Sequence, residues 1–258
     1  MTILVSGSAD SGKSAFAERL VCQLTPDVES GPRPSGENRP RPDFNRLYIA
    51  AMEPYGPEAA ARIARHRVQR EGLGFRTVER YTDLAGLTVP DSCTALVEDL
   101  GNLCANELFR RDTFQTGGDT FQTGGEAEAA SLTASAVCLT EGAVRRAEGA
   151  VMEGVSHLRA SCQHLVLVTN EVFLGGTGYA GDTDAWLRLL SRVNRRTAAI
   201  SEAVCEIACG IPCWYRIPAG AGPPDRPLPA AFREGHRFRE IILRQPESLV
   251  KTVHHRGG

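Results

Sequence analysis

The residues with the clearest chemistry lie in the segment Gly7–Ser14. Its sequence, GSADSGKS, fits the pattern G-x-x-x-x-G-K-[ST] of a phosphate-binding loop. Glycines let the backbone curl so that successive N–H groups point at phosphate oxygens, and a helix that begins at Lys13 adds its positive end. In such a loop the lysine contacts the β- and γ-phosphates, and the Ser14 hydroxyl binds Mg²⁺. A chance Gly/Ser turn is the alternative, but the strand-like run before the loop and the helical pattern after it favour phosphate binding.

A second group is the acidic pair Glu98 and Asp99, which follows the apolar run 94–97. Enzymes with a phosphate loop need an acidic residue at the end of another strand, to order the metal ion and its waters. Because side chains alternate across a strand, we expect only one of the two to face the site. Glu98 is the predicted metal ligand, together with Ser14. The alternative is an exposed carboxylate at the end of a strand.

The third group is one histidine in a basic helix predicted over 57–70. Arg62, His66 and Arg70 recur every four residues on a polar flank. The arginines should lower the pKa of the imidazole, because like charges disfavour its cation. A neutral imidazole can attack phosphorus while arginines neutralise the phosphoryl oxygens. A solvated basic face with a passive histidine is the alternative. The same helix has an apolar stripe made of Ala60, Ala64 and Val68.

The elements that must position these groups alternate along the chain. Strand-like apolar runs occur at 2–6, 46–51, 75–79, 95–99, 164–169 and 203–209. Helical patterns occur between them, at 13–24, 57–70, 136–159 and 184–202. This alternation predicts an α/β fold like that of P-loop NTPases, in which a mainly parallel, twisted sheet is flanked by helices.

Three stretches fall outside the alternation. Residues 28–45 are rich in proline, glycine and charge, which is typical of a surface loop. Residues 111–135 contain the heptapeptide DTFQTGG twice in succession, which indicates an insertion in a tolerant loop. We therefore expect one nucleotide-binding and transferase domain over 1–216, with these two loop insertions. A Pro/Gly-rich C-terminal extension over 217–258 follows it, with a short helix at 230–245 as one interpretation.

Composition excludes several classes of protein. The 258 residues carry 29 Lys and Arg against 31 Asp and Glu, a net charge of −2, which argues against a dedicated nucleic-acid or anionic-membrane binder. The first residues lack the basic region of a signal peptide, and no stretch has the ~18 apolar residues of a membrane span, so we expect a cytoplasmic protein. The eight cysteines form no CxxC pair, and the spacing of 205, 209 and 213 is better explained by a strand than by a zinc site.

Taken in order, the motifs resemble the family of bifunctional adenosylcobinamide kinase/adenosylcobinamide-phosphate guanylyltransferases of cobalamin biosynthesis. The phosphate loop alone is generic, whereas the box RI-x-x-HR-x-x-R followed by R-T-x-E and T-N-E-V is more specific. The matching segments cover most of 1–215: ILVSGSADSGKS at 3–14, LYIAAME at 47–53, ARIARHRVQR at 61–70, FRTVE at 75–79, LVEDLGNLCANELF at 96–109, LVTNEV at 167–172, RVN at 192–194 and CGIP at 209–212.

The resemblance implies an activity and a set of site residues. It implies phosphorylation of the adenosylcobinamide hydroxyl and then GMP transfer from GTP to that phosphate, with Mg²⁺, GTP and ATP at the phosphate loop and a homotrimeric assembly. It implies that His66 becomes attached to GMP and that Lys13 and Glu98 are the other catalytic residues. The implied nucleotide contacts are Gly7, Ser8, Ala9, Asp10, Ser11, Gly12, Lys13, Ser14, Ala51, Met52, Glu53, Arg67, Val68, Gln69, Arg70, Glu79 and Glu98.

The chain also departs from the family pattern. Ala51 stands where the family usually has Thr or Ser, Phe75 where it has Trp, and Ser191 where it commonly has Gly. The segment 173–178, FLGGTG, replaces an expected G-x-G-I-V-P turn. Two other interpretations therefore stay open. One is a P-loop small-molecule kinase in which His66 only clamps phosphate, and the other is a nucleotide-binding regulatory protein without turnover.

Overall fold

The fold is described from a computed structural model, which covers residues 1–25, 44–110, 140–173 and 179–217. The duplicated heptapeptide, the segment 28–43 and the extension from 218 onward lie outside the described residues. The predictions made for them therefore stay predictions.

Seven strands and five helices make up the described chain. The strands are β1 (Thr2–Gly7), β2 (Arg46–Ala50), β3 (Phe75–Glu79), β4 (Thr94–Glu98), β5 (His164–Val168), β6 (Ala203–Ala208) and β7 (Ile211–Arg216). The helices are α1 (Lys13–Leu24), α2 (Gly56–Arg70), α3 (Leu100–Leu108), α4 (Glu141–Ser161) and α5 (Asp182–Ile200), with one 3-10 turn at Leu84–Gly86.

All strands join one sheet in the order β3-β2-β4-β5-β1-β6-β7. The first six pair in parallel, and β7 pairs antiparallel with β6 at one edge. The predicted α/β architecture with a mainly parallel sheet is confirmed. Strand β7 is absent from the predicted strands, and it follows β6 through a two-residue turn in which Gly210 has a positive φ of 80°.

The core consists of two apolar layers, one on each face of the sheet. Strand β1 contributes to both layers because its side chains alternate: Ile3 faces the layer that contains α1, and Leu4 faces the layer that contains α3, α4 and α5. Helix α1 buries Phe16 and Leu20 against the first layer. The rigid sheet therefore fixes where the phosphate loop leaves β1 and where α1 begins.

Of the three cysteines near the end of the sheet, only Cys205 has the predicted setting of a small apolar residue in a strand. Cys205 is fully buried within β6, Cys209 lies in the turn after it, and Cys213 is exposed on β7. Over the ranges that the structure describes, no three His, Cys, Asp or Glu side chains are grouped to hold a metal ion.

Among the helices described, none has the length and apolar character that crossing a bilayer requires.

Candidate active site

The segment predicted to be a phosphate loop lies between β1 and α1, which is the predicted order of strand, loop and helix. A Cβ atom at Gly7 would lie 2.5 Å from the Ser11 Oγ and 2.8 Å from the Ile207 carbonyl oxygen, so only glycine fits there. Gly12, with φ of 89°, occupies the position before α1. The Lys13 ammonium is nearly buried and donates to the Ser8 carbonyl at 3.1 Å. The lysine side chain therefore folds back over the segment that precedes it.

Ser14, in the first turn of α1, contacts Glu98, the last residue of β4. The Ser14 hydroxyl donates to the Glu98 Oε1 at 2.6 Å, although 84 residues separate the two in sequence. The other carboxylate oxygen of Glu98 is buried and accepts no hydrogen bond from any residue that the structure describes. Burial, and next the charge of Asp99, raise the pKa of Glu98 to about 8. A hydroxyl and a partly unsatisfied carboxylate side by side are hard oxygen donors, and this donor set fits Mg²⁺.

Asp99 caps the N-terminus of α3. Its carboxylate accepts from the Asn102 backbone N–H at 2.8 Å and from the Asn102 side-chain amide at 3.0 Å, which caps α3. The expectation that only one of Glu98 and Asp99 would face the site is wrong, because both line the same cavity. The alternation rule fails here since β4 ends at Glu98 and Asp99 already belongs to the start of a helix.

His66 lies on α2 and is half-buried, and its Nδ1 is buried with no hydrogen-bond partner within the described part of the chain. The pKa of the imidazole is below its ordinary value, first because burial disfavours the cation and then because Arg70, Arg62 and Arg65 repel it. The predicted direction is confirmed, and burial, which the sequence analysis did not weigh, is the larger cause. The ring is therefore held in the neutral form that a nucleophile requires.

The side of helix α2 that packs against the rest of the molecule is not the predicted one. Arg70, predicted on a polar flank, is the one buried residue of the helix. The predicted apolar stripe is solvent-exposed instead, with Val68 at 70% exposure and Ala60 and Ala64 also exposed. The spacing of apolar and charged residues on α2 therefore does not predict which side of the helix is buried.

One cavity of about 490 Å³ brings most of the predicted chemistry together. Phosphate-loop residues, His66 and Glu98 all line it, although they come from three different segments of the chain. Its lining also includes residues that the sequence analysis did not place in the site. Those additional residues are Ala15, Arg65, Gly101, Asn102, Ala105, Asn170 and Trp186.

The remaining predicted nucleotide contacts are divided. Arg67, Val68, Arg70 and Glu79 line a different cavity, of about 940 Å³, together with residues from the start of β3. Met52 and Gln69 line the first cavity, and Glu53 lines neither.

Ala51 is fully buried, so its side chain faces neither cavity. Its backbone N–H donates to the Glu98 carbonyl, and its own carbonyl accepts from the Asn106 side-chain amide. These contacts give Ala51 a structural place beside Glu98.

Two of the cavity residues that were not predicted differ in whether a sequence motif pointed to them. Asn170 belongs to the T-N-E-V segment, which the sequence analysis quoted without assigning it a role. Trp186 comes from α5, far along the chain, and reaches the site because its indole N–H donates to the Gly101 carbonyl at 3.0 Å. No local pattern around Trp186 predicts this contact.

Comparison with known proteins gives a consistent result. Residues 3–214 match the family described as cobinamide kinase / cobinamide phosphate guanyltransferase. The bifunctional adenosylcobalamin biosynthesis protein of Escherichia coli (strain K12) is 30% identical over 218 residues, which are 82% of this chain and 97% of that protein. A solved structure from Pyrococcus horikoshii OT3 covers 84% of this chain and 86% of its own, with 10% identity and a TM-score of 0.37, which is too low to bear on function.

Proposed function

Because the chain belongs to the cobinamide kinase / cobinamide phosphate guanyltransferase family, we propose that it is a bifunctional adenosylcobinamide kinase and adenosylcobinamide-phosphate guanylyltransferase. The observation that carries the proposal is the shared cavity. It places a phosphate-loop lysine, a Ser–Glu pair suited to Mg²⁺ and a neutral histidine around one space. A kinase needs the first two, and a guanylyltransferase with a covalent intermediate needs all three.

In the kinase reaction, the backbone N–H groups of the phosphate loop and Lys13 hold the triphosphate of ATP or GTP. The acceptor is the hydroxyl of adenosylcobinamide. Its oxygen attacks the γ-phosphorus, the bond from that phosphorus to the β-phosphate oxygen breaks, and the hydroxyl proton is released to solvent. Mg²⁺, when bound by Ser14 and Glu98, would neutralise charge on the transferring phosphate. The residues of this chain contribute position and charge, since phosphoryl transfer needs little covalent chemistry from the protein.

In the guanylyl reaction, the neutral imidazole of His66 attacks the α-phosphorus of GTP. A P–N bond forms, the bond to the β-phosphate oxygen breaks, and pyrophosphate leaves towards Lys13. Arg62 and Arg65, which line the same cavity, would neutralise the phosphoryl oxygens. The phosphate oxygen of adenosylcobinamide phosphate then attacks the same phosphorus, and the P–N bond breaks.

Intact-mass analysis after incubation with GTP and Mg²⁺ tests the histidine intermediate. We expect one GMP per chain, lost in acid, and no adduct on His66→Ala. His164→Ala is the matched control, because His164 is also half-buried but begins β5 at the other end of that strand from the site. A wild-type chain that forms no adduct but phosphorylates the alcohol would be a simple kinase.

Lys13→Ala tests the phosphate loop independently of the histidine. Loss of this charge-assisted contact in a desolvated site should weaken triphosphate binding or turnover by about 2–4 kcal/mol. Both reactions should suffer, which distinguishes this variant from His66→Ala. Unchanged affinity for GTP and unchanged kinase turnover would contradict the assignment of Gly7–Ser14.

A further inference from the structure

The attachment of α2 depends on its last turn. Of its 15 residues only Arg70 is buried, at 7% exposure. The Arg70 guanidinium lies 3.4 Å from the centre of the Tyr48 ring on β2. Arg67, in the same turn, pairs with Glu79, but that pair is exposed to solvent. The buried contacts at Arg70 therefore hold the helix that carries His66.

The partner of this last turn is Glu18, on α1. Its side chain is 2% exposed, which is rare for a glutamate. One carboxylate oxygen accepts from the Gln69 side-chain amide at 2.7 Å, and the other lies 3.8 Å from the Arg70 Nη1. Burial raises the pKa of Glu18, and the positive charge of Arg70 opposes that rise. We call Glu18, Gln69, Arg70 and Tyr48 the Glu18 cluster.

The position of the cluster in both helices is informative. Glu18 follows Ser14 by four residues on α1, and Arg70 follows His66 by four residues on α2, which is one helical turn in each case. The two helices connect parallel strands and cross in the same direction along the sheet, from β1 to β2 and from β2 to β3. They therefore lie on the same face and run the same way. Pairing Glu18 with Arg70 places His66 level with the start of α1.

We infer that Glu18 is a positioning residue for guanylylation: its buried carboxylate holds the last turn of α2 and so fixes His66 opposite the phosphate loop. This inference rests on the proposed function, since it assumes that His66 is the nucleophile. Glu18 is not among the residues that line the cavity, so we assign it to positioning. A nucleophile displaced by about 1 Å can lose on the order of 10²-fold in rate, so loosening this contact should slow attack on phosphorus.

The test is the rate of acid-labile GMP adduct formation from labelled GTP. Glu18→Gln keeps the shape of the side chain and removes its charge. We expect adduct formation at saturating GTP to slow by at least ~10-fold. The GTP concentration for half-saturation and the kinase turnover should stay within ~3-fold, because the phosphate loop is intact.

Glu58→Gln is the matched control, since Glu58 is also on α2 but is 93% exposed and contacts only Arg62 among the described ion pairs. It should form the adduct at the wild-type rate. Glu18→Asp is the second variant, because it keeps the charge and withdraws the carboxylate by one methylene. Glu18→Asp should slow adduct formation by a smaller factor than Glu18→Gln and leave GTP half-saturation and kinase turnover unchanged. If Glu18→Gln does not fold, Glu18→Asp alone tests the positioning role.

The outcomes separate the two proposals. A wild-type chain without an adduct overturns the guanylyl reaction and the role of Glu18 with it. A wild-type chain with an adduct, and a folded Glu18 variant that forms it equally fast, overturns the role of Glu18 alone. A variant that loses GTP affinity, kinase turnover and the rate of adduct formation to the same extent also overturns the role of Glu18. In that case Glu18 would only stabilise the fold.

Discussion

The two carboxylates at the end of β4 line one cavity, yet the structure gives them different partners. Glu98 accepts from Ser14, whereas Asp99 accepts from Asn102 and caps α3. We expect Glu98→Gln to lower Mg²⁺-dependent turnover by ~10²-fold or more, because a neutral amide is a weak ligand for a hard cation. Asp99→Asn should cost far less, since asparagine caps helices about as well as aspartate. Steady-state kinetics against Mg²⁺ concentration would show the difference, and a larger loss at Asp99 would reverse the assignment.

The raised pKa of Glu98 has a consequence for stability. In the metal-free folded protein this carboxyl group ionises at a pH of about 8, mainly because it is buried. In the unfolded chain it ionises near its ordinary value of 4.5. Between these values the folded protein holds a proton that the unfolded chain has released, so the free energy of unfolding falls as pH rises.

Melting temperatures measured between pH 5 and pH 8 without Mg²⁺ test this sign. The wild-type protein should lose stability over that range relative to Glu98→Gln, which cannot ionise. Parallel curves for the two proteins would mean that Glu98 is already ionised at pH 5 in the folded state.

At the scale of helices and strands, periodicity in the sequence predicted most of the scaffold and little of how the site is assembled. The strands β2 and β5 and the helix α1 agree with the prediction to within about a residue, because each has a clear apolar pattern bounded by polar residues. Strand β3 agrees as well, although only two of its five residues are apolar. Helix α3 was not predicted as a separate element, since nine residues give too short a pattern beside β4. The contact between Ser14 and Glu98 depends on the order of the strands in the sheet. Local sequence patterns carry no information about that order.

The glycines of α4 allow a test of how that helix packs. A Cβ atom at Gly154 would lie 2.5 Å from the Leu84 Cβ, so the helix approaches the 3-10 turn as closely as glycine permits. Gly154→Ala should destabilise the protein by about 1–3 kcal/mol through overpacking. At Gly149, where an added Cβ meets nothing within 4 Å, alanine should stabilise by about 0.5–1 kcal/mol. Chemical denaturation of the two variants would reveal this difference in sign, and equal effects would contradict the close approach.

For the whole molecule, the predicted catalytic helices lie on one face of the sheet, although Asn102 of α3 and Trp186 of α5 reach the same cavity from the other face. The layer with α3, α4 and α5 contains the larger apolar cluster, whereas α1 and α2 carry Lys13, Ser14 and His66. Substitutions in the larger cluster should therefore change stability first, and substitutions around α1 and α2 should change activity first.

The duplicated heptapeptide lies outside the described residues, between α3 and α4, and its interpretation rests on sequence alone. Deleting one copy, residues 119–125, removes polar residues without apolar periodicity. Shortening a long connection changes the closure free energy by less than ~0.5 kcal/mol, so the melting temperature and both activities should be retained. A clear fall in melting temperature would show that the insertion packs on the domain.

The exposure of α2 has a further consequence, for proteases. Arg62, Arg65 and Arg67 are exposed on a helix whose buried contacts are concentrated at Arg70, so this helix should open locally at small cost in free energy. Within the described residues, trypsin should therefore cut α2 before it cuts α4 or α5, whose arginines lie on helices with long buried faces. A nucleotide that engages both the phosphate loop and His66 would slow that cleavage. The rate at which the chain is cut between 62 and 70 thus reports whether α2 is docked, with no need to follow turnover.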